Sequence, residues 1–271
     1  MNWLSKQASD TQITHGERVW LYIIVSVIMF LLIFPTFIVI PMSFSDSQYL
    51  EFPPKNWSLR WYNEYWETPR WLNATITSFK VAFFTMIFAT PFGTMAAYGL
   101  FVSGNKFSKY IFFLLMTPMI VPVILIAIGT FYVFGKVGVV NSIPGLVLAH
   151  TVLAIPIVMI IMTSALRTYD LNQELVARSL GASRVRAFFE ITLPQIKFSV
   201  ITSALLAFLT SFDEVIISIF LSGGGNSTLT KQMFNSLRDY IDPTIAAIST
   251  LMIILSTTLM LGAQYIGKKE S

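Results

Sequence analysis

The sequence predicts an all-α membrane protein with six transmembrane helices and both termini in the cytoplasm. Hydrophobic residues make up 55% of its 271 residues and charged residues only 12%, whereas a soluble domain has about 25% charged residues. Six apolar segments are long enough to cross a bilayer, which requires about 20 residues in a helix. Lys and Arg are concentrated in alternate connections between these segments, which predicts the orientation.

The six predicted spans follow one another along the chain without an internal repeat. In order they cover residues 19–44, 74–102, 111–134, 143–166, 198–222 and 245–266. Several contain proline, which membrane helices tolerate because neighbouring helices can satisfy the freed carbonyl groups. A polar stretch precedes the first span and no small-residue cleavage site follows it, so we predict a retained helix and not a signal peptide.

The basic residues fall into two unequal sets. Six lie on the predicted outer side, at Lys55, Arg60, Arg70, Lys136, Lys231 and Arg238. Eleven lie at the termini, in the second-to-third connection and in the fourth-to-fifth connection, namely Lys6, Arg18, Lys106, Lys109, Arg167, Arg178, Arg184, Arg186, Lys197, Lys268 and Lys269. Because cytoplasmic connections carry the excess of Lys and Arg, we predict that this richer set is cytoplasmic.

Composition and motifs argue against an enzyme. The chain has no cysteine and only two histidines, His15 and His150, so neither a disulfide framework nor a metal site is expected. A phosphate loop requires Ser or Thr after Gly-Lys, but Val137 and Lys269 stand in those places. We therefore predict no catalytic residue, no metal and no nucleic-acid partner. The net charge of +4 fits basic cytoplasmic loops.

Two external connections carry recognisable patterns. The first is rich in Trp and Tyr, which favour the membrane–water interface. The last begins with "GGGNST", and Leu229, Met233 and Leu237 then recur at four-residue spacing. This spacing predicts a short amphipathic helix on the membrane surface, after which Pro243 redirects the chain into the sixth span.

A basic segment, "LVARSLGASRVRAFFEITLP" (residues 175–194), interrupts the apolar sequence between the fourth and fifth spans. It predicts two helices joined by a turn, with Gly181 left-handed, Ser183 as the cap of the second helix and Pro194 as the end of the pattern. One alternative is a solvated loop that only fixes topology. The apolar Phe188 and Phe189 favour a docking element for a partner groove instead.

This segment resembles the cytoplasmic signature of permease subunits of binding-protein-dependent ABC importers. The family pattern is Glu-Ala-Ala, three residues, Gly, nine residues, Ile, one residue and Leu-Pro. Leu175 and Val176 depart from it, and Glu174 lies one residue before the family glutamate. The positions that match are Ala177, Gly181, Ile191, Leu193 and Pro194.

The resemblance implies a MetI-like ABC transporter permease fold and a subunit of a type I importer in the inner membrane. It implies a second permease subunit in a heterodimer, a periplasmic binding protein, and two ATPase subunits that bind ATP and Mg. The coupling loop (residues 167–197) would dock on an ATPase through Glu174, Ala177, Arg178, Gly181, Ala182, Ile191, Leu193 and Pro194. We divide the chain into an N-terminal part (residues 1–72), a permease core (73–266) and a cytoplasmic tail (267–271).

Two adjacent acids, Asp213 and Glu214, lie in the predicted fifth span. A carboxylate near the bilayer centre costs about 2.5–3.5 kcal/mol on insertion scales. We predict that at least one lines the substrate path and attracts a cation. The alternative is an internal salt bridge or a helix cap against the partner subunit. Asp213 is preferred because Ser-x-Asp-acid in this span resembles polyamine-type permeases.

The substrate is predicted from a second resemblance. "PPKNWSLRWY" and "SFDEVIISIFLSGGG" resemble the spermidine/putrescine group, which implies a polyamine such as putrescine or spermidine. Phosphonates, opines and iron stay open as alternatives within the same class. A proton-coupled secondary carrier that uses Asp213, Glu214 and His150 would show an inverted repeat, which we do not find.

Three further intramembrane positions have simple expected roles. We expect Lys80 to snorkel to the surface instead of pairing with an acid. We expect His150 to make a helix-to-helix hydrogen bond and not to serve as a proton relay. The small residues Gly93 and Ala97, spaced four apart, indicate close helix packing.

Overall fold

The structure is a computed structural model, and it describes residues 14–268, with side-chain surroundings as far as Gly262. The predictions for Lys6 and for tail residues 269–271 lie outside the described residues. Within this range the regular structure is helical, apart from isolated bridge residues such as the antiparallel pair Ser45 and Trp57.

The described helices differ widely in length, because some of the polar connections contain short helices of their own. In chain order they are α1 (Val19–Met42), α2 (Arg60–Glu67), α3 (Pro69–Ser103), α4 (Ser108–Ile120), α5 (Val123–Val137), α6 (Ile143–Thr168), α7 (Asn172–Ser179), α8 (Arg184–Ala187), α9 (Leu193–Gln195), α10 (Lys197–Asp213), α11 (Ile216–Leu221), α12 (Leu229–Tyr240) and α13 (Thr244–Lys268).

The chain divides into two compact units. One comprises the described residues up to Tyr65 together with Ile241–Ile253. The other comprises Trp66–Tyr240 and the described residues from Ile254 onward. The second unit contains every position singled out above as a candidate site.

Helices α3, α6 and α10 pack against one another at the centre of this larger unit. Gly93 allows α3 to approach α6, because a Cβ atom at this position would lie 2.7 Å from Val158 Cβ. Ala97, one turn further on, is buried in the same cluster as Val158 and Met162. The predicted close packing at Gly93 and Ala97 is confirmed.

Four described helices are long and apolar enough to cross a membrane: Val19–Met42, Pro69–Ser103, Ile143–Thr168 and Thr244–Gly262. Two further candidates are bent pairs of helices, so the total reaches six if each pair is one span. The first, second, fourth and sixth predicted spans correspond to the four continuous helices, and the third corresponds to the bent pair α4 and α5. The fifth corresponds to α10 and α11, whereas the second bent pair joins α10 to the coupling-loop segment Arg184–Gln195.

The third predicted span is not a single helix. Helices α4 and α5 meet at an angle of 96°, with Val121 extended and Pro122 preceding α5. Proline has no N–H to continue a helix and disfavours the helical conformation in the residue before it. The expectation that membrane packing would absorb this proline was wrong for Pro122.

The fifth predicted span is also interrupted, and the helical pattern before it ends next to Pro194, at Gln195, as predicted. A π-helical turn (Phe188–Thr192) and α9, which contains Pro194, precede an 81° bend of the chain at Ile196. Proline is tolerated there because it occupies the first turn of α9. Helix α10 then ends at Asp213, Glu214 is extended, and α11 begins at Ile216.

The predicted helix of the last external connection is confirmed as α12. Its first residue, Leu229, is buried, and the Leu229 N–H donates to Ser78 Oγ of α3 at 2.8 Å. Phe234 and Leu237 remain exposed. One end of α12 is therefore fixed to the bundle, and apolar side chains further along it face outward.

Candidate functional site

The coupling loop contains the predicted helix–turn–helix. Gly181 has a φ of +99°, a conformation that glycine adopts readily and other residues do not. The turn is closed by the N–H groups of Gly181 and Ala182, which donate to the carbonyls of Arg178 and Ala177. Ser183 Oγ accepts from the Arg186 N–H at 3.2 Å and so caps α8. The turn at Gly181 and the cap at Ser183 are confirmed as structural features.

This loop exposes apolar side chains. Leu180 at the turn is 85% exposed, and Val176, Val185 and Phe189 are also exposed. Exposed apolar groups that lie together in a soluble part of a protein mark interaction sites. Docking of a partner on this apolar surface stays a prediction.

The other predicted docking residues differ in exposure. Arg178, Gly181 and Pro194 are exposed, whereas Ala177, Ala182, Ile191 and Leu193 are half-buried. An exposed pair between Arg186 and Glu190, at 2.9 Å, spans one helical turn.

Glu174 is the exception among these residues, because it is buried with 1% of its surface exposed. Tyr98 Oη of α3 lies 2.7 Å from both Glu174 carboxylate oxygens. Thr192 Oγ1 donates to Glu174 Oε2 at 3.0 Å, and the Phe188 ring lies 4.6 Å from the Tyr98 ring. Glu174 thus directs its carboxylate into its own chain and ties the coupling loop to α3.

Sequence reasoning missed Tyr98 and Thr192. Thr192 lies in the π-helical turn Phe188–Thr192, and turns of this kind occur frequently at functional sites. Tyr98 lies 76 residues before Glu174, within an apolar span, and no local pattern connects the two positions.

The broken fifth span separates the two acids. Asp213 is the last residue of α10 and is exposed; within residues 14–268 it forms no ion pair or hydrogen bond. Glu214 is half-buried, and its Oε1 accepts from the Ile217 N–H at 2.8 Å. Glu214 therefore caps the start of α11, whereas the Asp213 carboxylate is available to a ligand.

Helix α11 has a basic group at its opposite end. Lys231 Nζ of α12 donates to the Ile219 carbonyl at 3.1 Å and to the Ser222 carbonyl. A positive charge at the C-terminal end of a helix is stabilising, as a negative charge is at the N-terminal end. Burial lowers the pKa of Lys231. Glu214 and Lys231 together hold this six-residue helix in place, and the sequence alone did not indicate the role of Lys231.

His150 of α6 bridges the break in the fifth span. Its Nδ1 lies 2.8 Å from Ser211 Oγ in α10, and its Nε2 lies 3.4 Å from Ser218 Oγ in α11. Ser211 Oγ in turn lies 3.3 Å from Thr85 Oγ1 of α3. The predicted helix-to-helix hydrogen bond of His150 is confirmed.

Lys80 lies in an apolar cleft of about 480 Å³ together with Phe79, Phe83 and Phe208. Its side chain is exposed, and in the described part of the chain it forms no ion pair with Asp213 or Glu214. Snorkelling of Lys80 to the membrane surface stays a prediction.

Comparison with known proteins agrees with this architecture. The family model described as "Binding-protein-dependent transport system inner membrane component" matches residues 89–270. The spermidine/putrescine transport system permease protein PotC of Haemophilus influenzae is 30% identical over 237 residues, which are 88% of this chain and 92% of the relative. The putrescine transport system permease protein PotI of Escherichia coli K12 is 31% identical over 208 residues, 73% of each chain.

Solved structures show the same fold. A bacterial ABC transporter involved in the import of the acidic polysaccharide alginate superposes with a TM-score of 0.68 at 12% identity, and the match covers 96% of this chain and 100% of that one. An amino acid ABC transporter superposes with a TM-score of 0.57 at 19% identity, and the match covers 76% of this chain and 98% of that one.

The fold and the coupling loop therefore define a helical permease of the inner membrane with the MetI-like ABC transporter fold. The chain belongs to the family of inner-membrane components of binding-protein-dependent transport systems. Within that family it is a permease subunit of a type I ABC importer.

Proposed function

We propose that this permease forms half of the pathway of an ATP-driven importer for a polyamine such as putrescine or spermidine. The observation that carries the proposal is the exposed carboxylate of Asp213 at the break of the fifth span, which has no ion-pair partner among the residues that the structure describes. An ionisable group within a membrane segment marks a substrate or ion pathway, and a carboxylate attracts an alkylammonium cation. The substrates that the names of the two permease relatives state support a polyamine.

The proposed assembly contains a second, similar permease subunit, two ATPase subunits that bind ATP and Mg, and a periplasmic binding protein. The exposed apolar surface of the coupling loop supports ATPase docking, because a short amphipathic helix suits a partner groove. The loop continues directly into α6 on one side and α10 on the other. Closure of the ATPases would therefore move α6, which carries His150, and α10, which ends at the break.

The proposed orientation places the coupling loop and both termini in the cytoplasm. The chain has no cysteine, so single-cysteine variants can report orientation without a background signal. We expect Asn105→Cys, in the α3–α4 connection, to react with an impermeant thiol reagent only from the cytoplasmic side. Tyr49→Cys, in the first external loop, should react from outside. The opposite pattern would contradict the orientation.

Uptake by the reconstituted complex tests the proposed function. The permease pair, the ATPases and the binding protein are placed in liposomes with internal ATP, and uptake of labelled putrescine and spermidine is measured. We expect saturable, ATP-dependent uptake that unlabelled phosphonate, opine or iron does not compete away. Competition by one of these solutes would reassign the substrate. Uptake driven by a proton gradient without ATPase subunits would overturn the importer mechanism.

A further inference from the structure

A cleft with a polar wall lies at the end of the bundle where α3 ends and α4 begins. It has a volume of about 270 Å³ and is formed by α3, α4 and α6. Ser108, Lys109, Thr163 and Arg167 provide its polar wall. Phe101 and Phe112 are among the apolar residues that line the rest. The cleft thus combines two cations and two hydroxyl groups with an apolar surface.

The two cations are not neutralised by the chain. No Asp or Glu lines the cleft, and within residues 14–268 neither Lys109 nor Arg167 pairs with an acid. Both side chains are exposed. Basic pockets between transmembrane helices bind anionic lipid head groups, and the planar guanidinium of Arg can bind a phosphate through two parallel hydrogen bonds.

Aromatic residues beside the cleft indicate its depth in the membrane. Phe107 and Tyr110, which flank Lys109 in sequence, are exposed, and their ring centres lie 6.4 Å apart. Exposed aromatic rings at the end of a transmembrane helix favour the level of the lipid head groups. From Tyr110 we therefore expect the cations of the cleft at head-group depth and its apolar wall toward the hydrocarbon.

We propose that this cleft binds the phosphate head group of an anionic phospholipid. Lys109 and Arg167 contact the phosphate, Thr163 donates a hydrogen bond to one of its oxygens, and an acyl chain lies along Phe101 and Phe112. Ser108 Oγ lies at the rim of the cleft and bonds to Ser103 Oγ at 2.6 Å. Because Arg167 is also the first residue of the coupling loop, the bound lipid would hold the membrane end of that loop. This site is independent of the nature of the transported solute.

Lipid retention by the intact complex tests the proposal. The purified complex is mixed with phosphatidylglycerol, phosphatidylcholine or inorganic phosphate, and bound molecules are counted by native mass spectrometry. Each basic residue near an anionic surface contributes about fivefold to affinity, so Lys109→Gln with Arg167→Gln should weaken phosphatidylglycerol binding by about 25-fold. Lys106→Gln, in the same connection but outside the cleft, is the matched control and should change it little.

The remaining outcomes separate the sources of phosphate. Weak binding of phosphatidylcholine and of inorganic phosphate supports a lipid site, whereas inorganic phosphate that displaces phosphatidylglycerol would show a free-anion site and overturn the proposal. If the double variant Lys109→Gln with Arg167→Gln retains as much phosphatidylglycerol as the wild-type complex, the proposal is also overturned. If the double variant does not assemble, Lys109→Arg with Arg167→Lys keeps both charges and should retain the lipid; loss of lipid in that assembled variant contradicts the site.

Discussion

Tyr98 Oη lies 2.7 Å from both carboxylate oxygens of Glu174, and this contact joins α3 to the first helix of the coupling loop. Because Glu174 is buried, its carboxylate must be hydrogen-bonded within the chain, and Tyr98 and Thr192 provide these hydrogen bonds. A displacement of the coupling loop by an ATPase would therefore act directly on α3 as well as on α6 and α10. Glu174 is best understood as a positioning residue between the loop and the bundle.

The first prediction concerns this contact. Tyr98→Phe removes one hydroxyl and keeps the ring against Phe188. We expect it to lower the free energy of unfolding by about 1–3 kcal/mol, because it leaves a buried carboxylate with one hydrogen-bond partner fewer. We also expect fewer solute molecules transported per ATP hydrolysed, because the loop is held less firmly. Thermal unfolding and paired uptake and ATPase assays of the reconstituted complex measure the two effects.

Arg186→Gln is the matched control for this experiment. It removes the exposed pair with Glu190 in the same loop, and such pairs contribute about 0–1 kcal/mol. Wild-type stability and an unchanged transport-to-ATP ratio in Tyr98→Phe would show that the contact does not position the loop.

The second prediction separates backbone strain from bulk at Gly181. Its φ of +99° is unfavourable for any side chain, and no atom lies within 4 Å of the position that a Cβ would occupy. We therefore expect Gly181→Ala to destabilise the turn by about 1–3 kcal/mol through backbone strain. The permease with this substitution should still bind the ATPase. Gly181→Trp adds a large side chain that projects from the turn, and it should block ATPase association while the spans stay folded.

Co-purification of the ATPase with each variant measures this difference, and the two variants share the same strain. If Gly181→Trp retains the ATPase as well as Gly181→Ala does, the turn does not face the ATPase.

Local features of this loop were predictable from sequence, and distant ones were not. Gly181 and Ser183 act on backbone groups within three residues, so their residue types alone indicate the turn and the cap. Pro122 marks the break in the third span, but its effect depends on whether neighbouring helices form hydrogen bonds with the carbonyl groups that a proline leaves free. The partnership of Tyr98 with Glu174 arises only from packing, and no residue type in an apolar span identifies it.

The third prediction assigns different roles to the two acids of the fifth span. Asp213→Asn keeps size and removes the charge of an exposed side chain, so we expect polyamine uptake to fall at least tenfold with little change in stability. Glu214→Ala removes the cap of α11 and should cost about 0.5–2 kcal/mol. Glu214→Gln retains an acceptor for the Ile217 N–H and should destabilise the protein less than Glu214→Ala does.

Uptake and unfolding are measured together for these variants. The double variant Asp213→Asn with Glu214→Gln should assemble but not transport. Wild-type uptake by this double variant would refute a role for either charge in the substrate path.

The fourth prediction concerns His150, whose two ring nitrogens face Ser211 on one side of the break and Ser218 on the other. A neutral imidazole offers one donor and one acceptor, so each serine should form its own hydrogen bond with the ring and add separately to the stability of the permease. In double-mutant cycles of His150→Phe with Ser211→Ala or Ser218→Ala, we expect coupling energies of about 0.6–1.7 kcal/mol in unfolding of the purified complex. Ser222→Ala is the control, because Ser222 Oγ bonds to the Ser218 carbonyl and not to the ring, and its cycle should show no coupling. Coupling to Ser211 alone would mean that His150 fixes only α10, and α11 would then depend on Glu214 and Lys231 for its position.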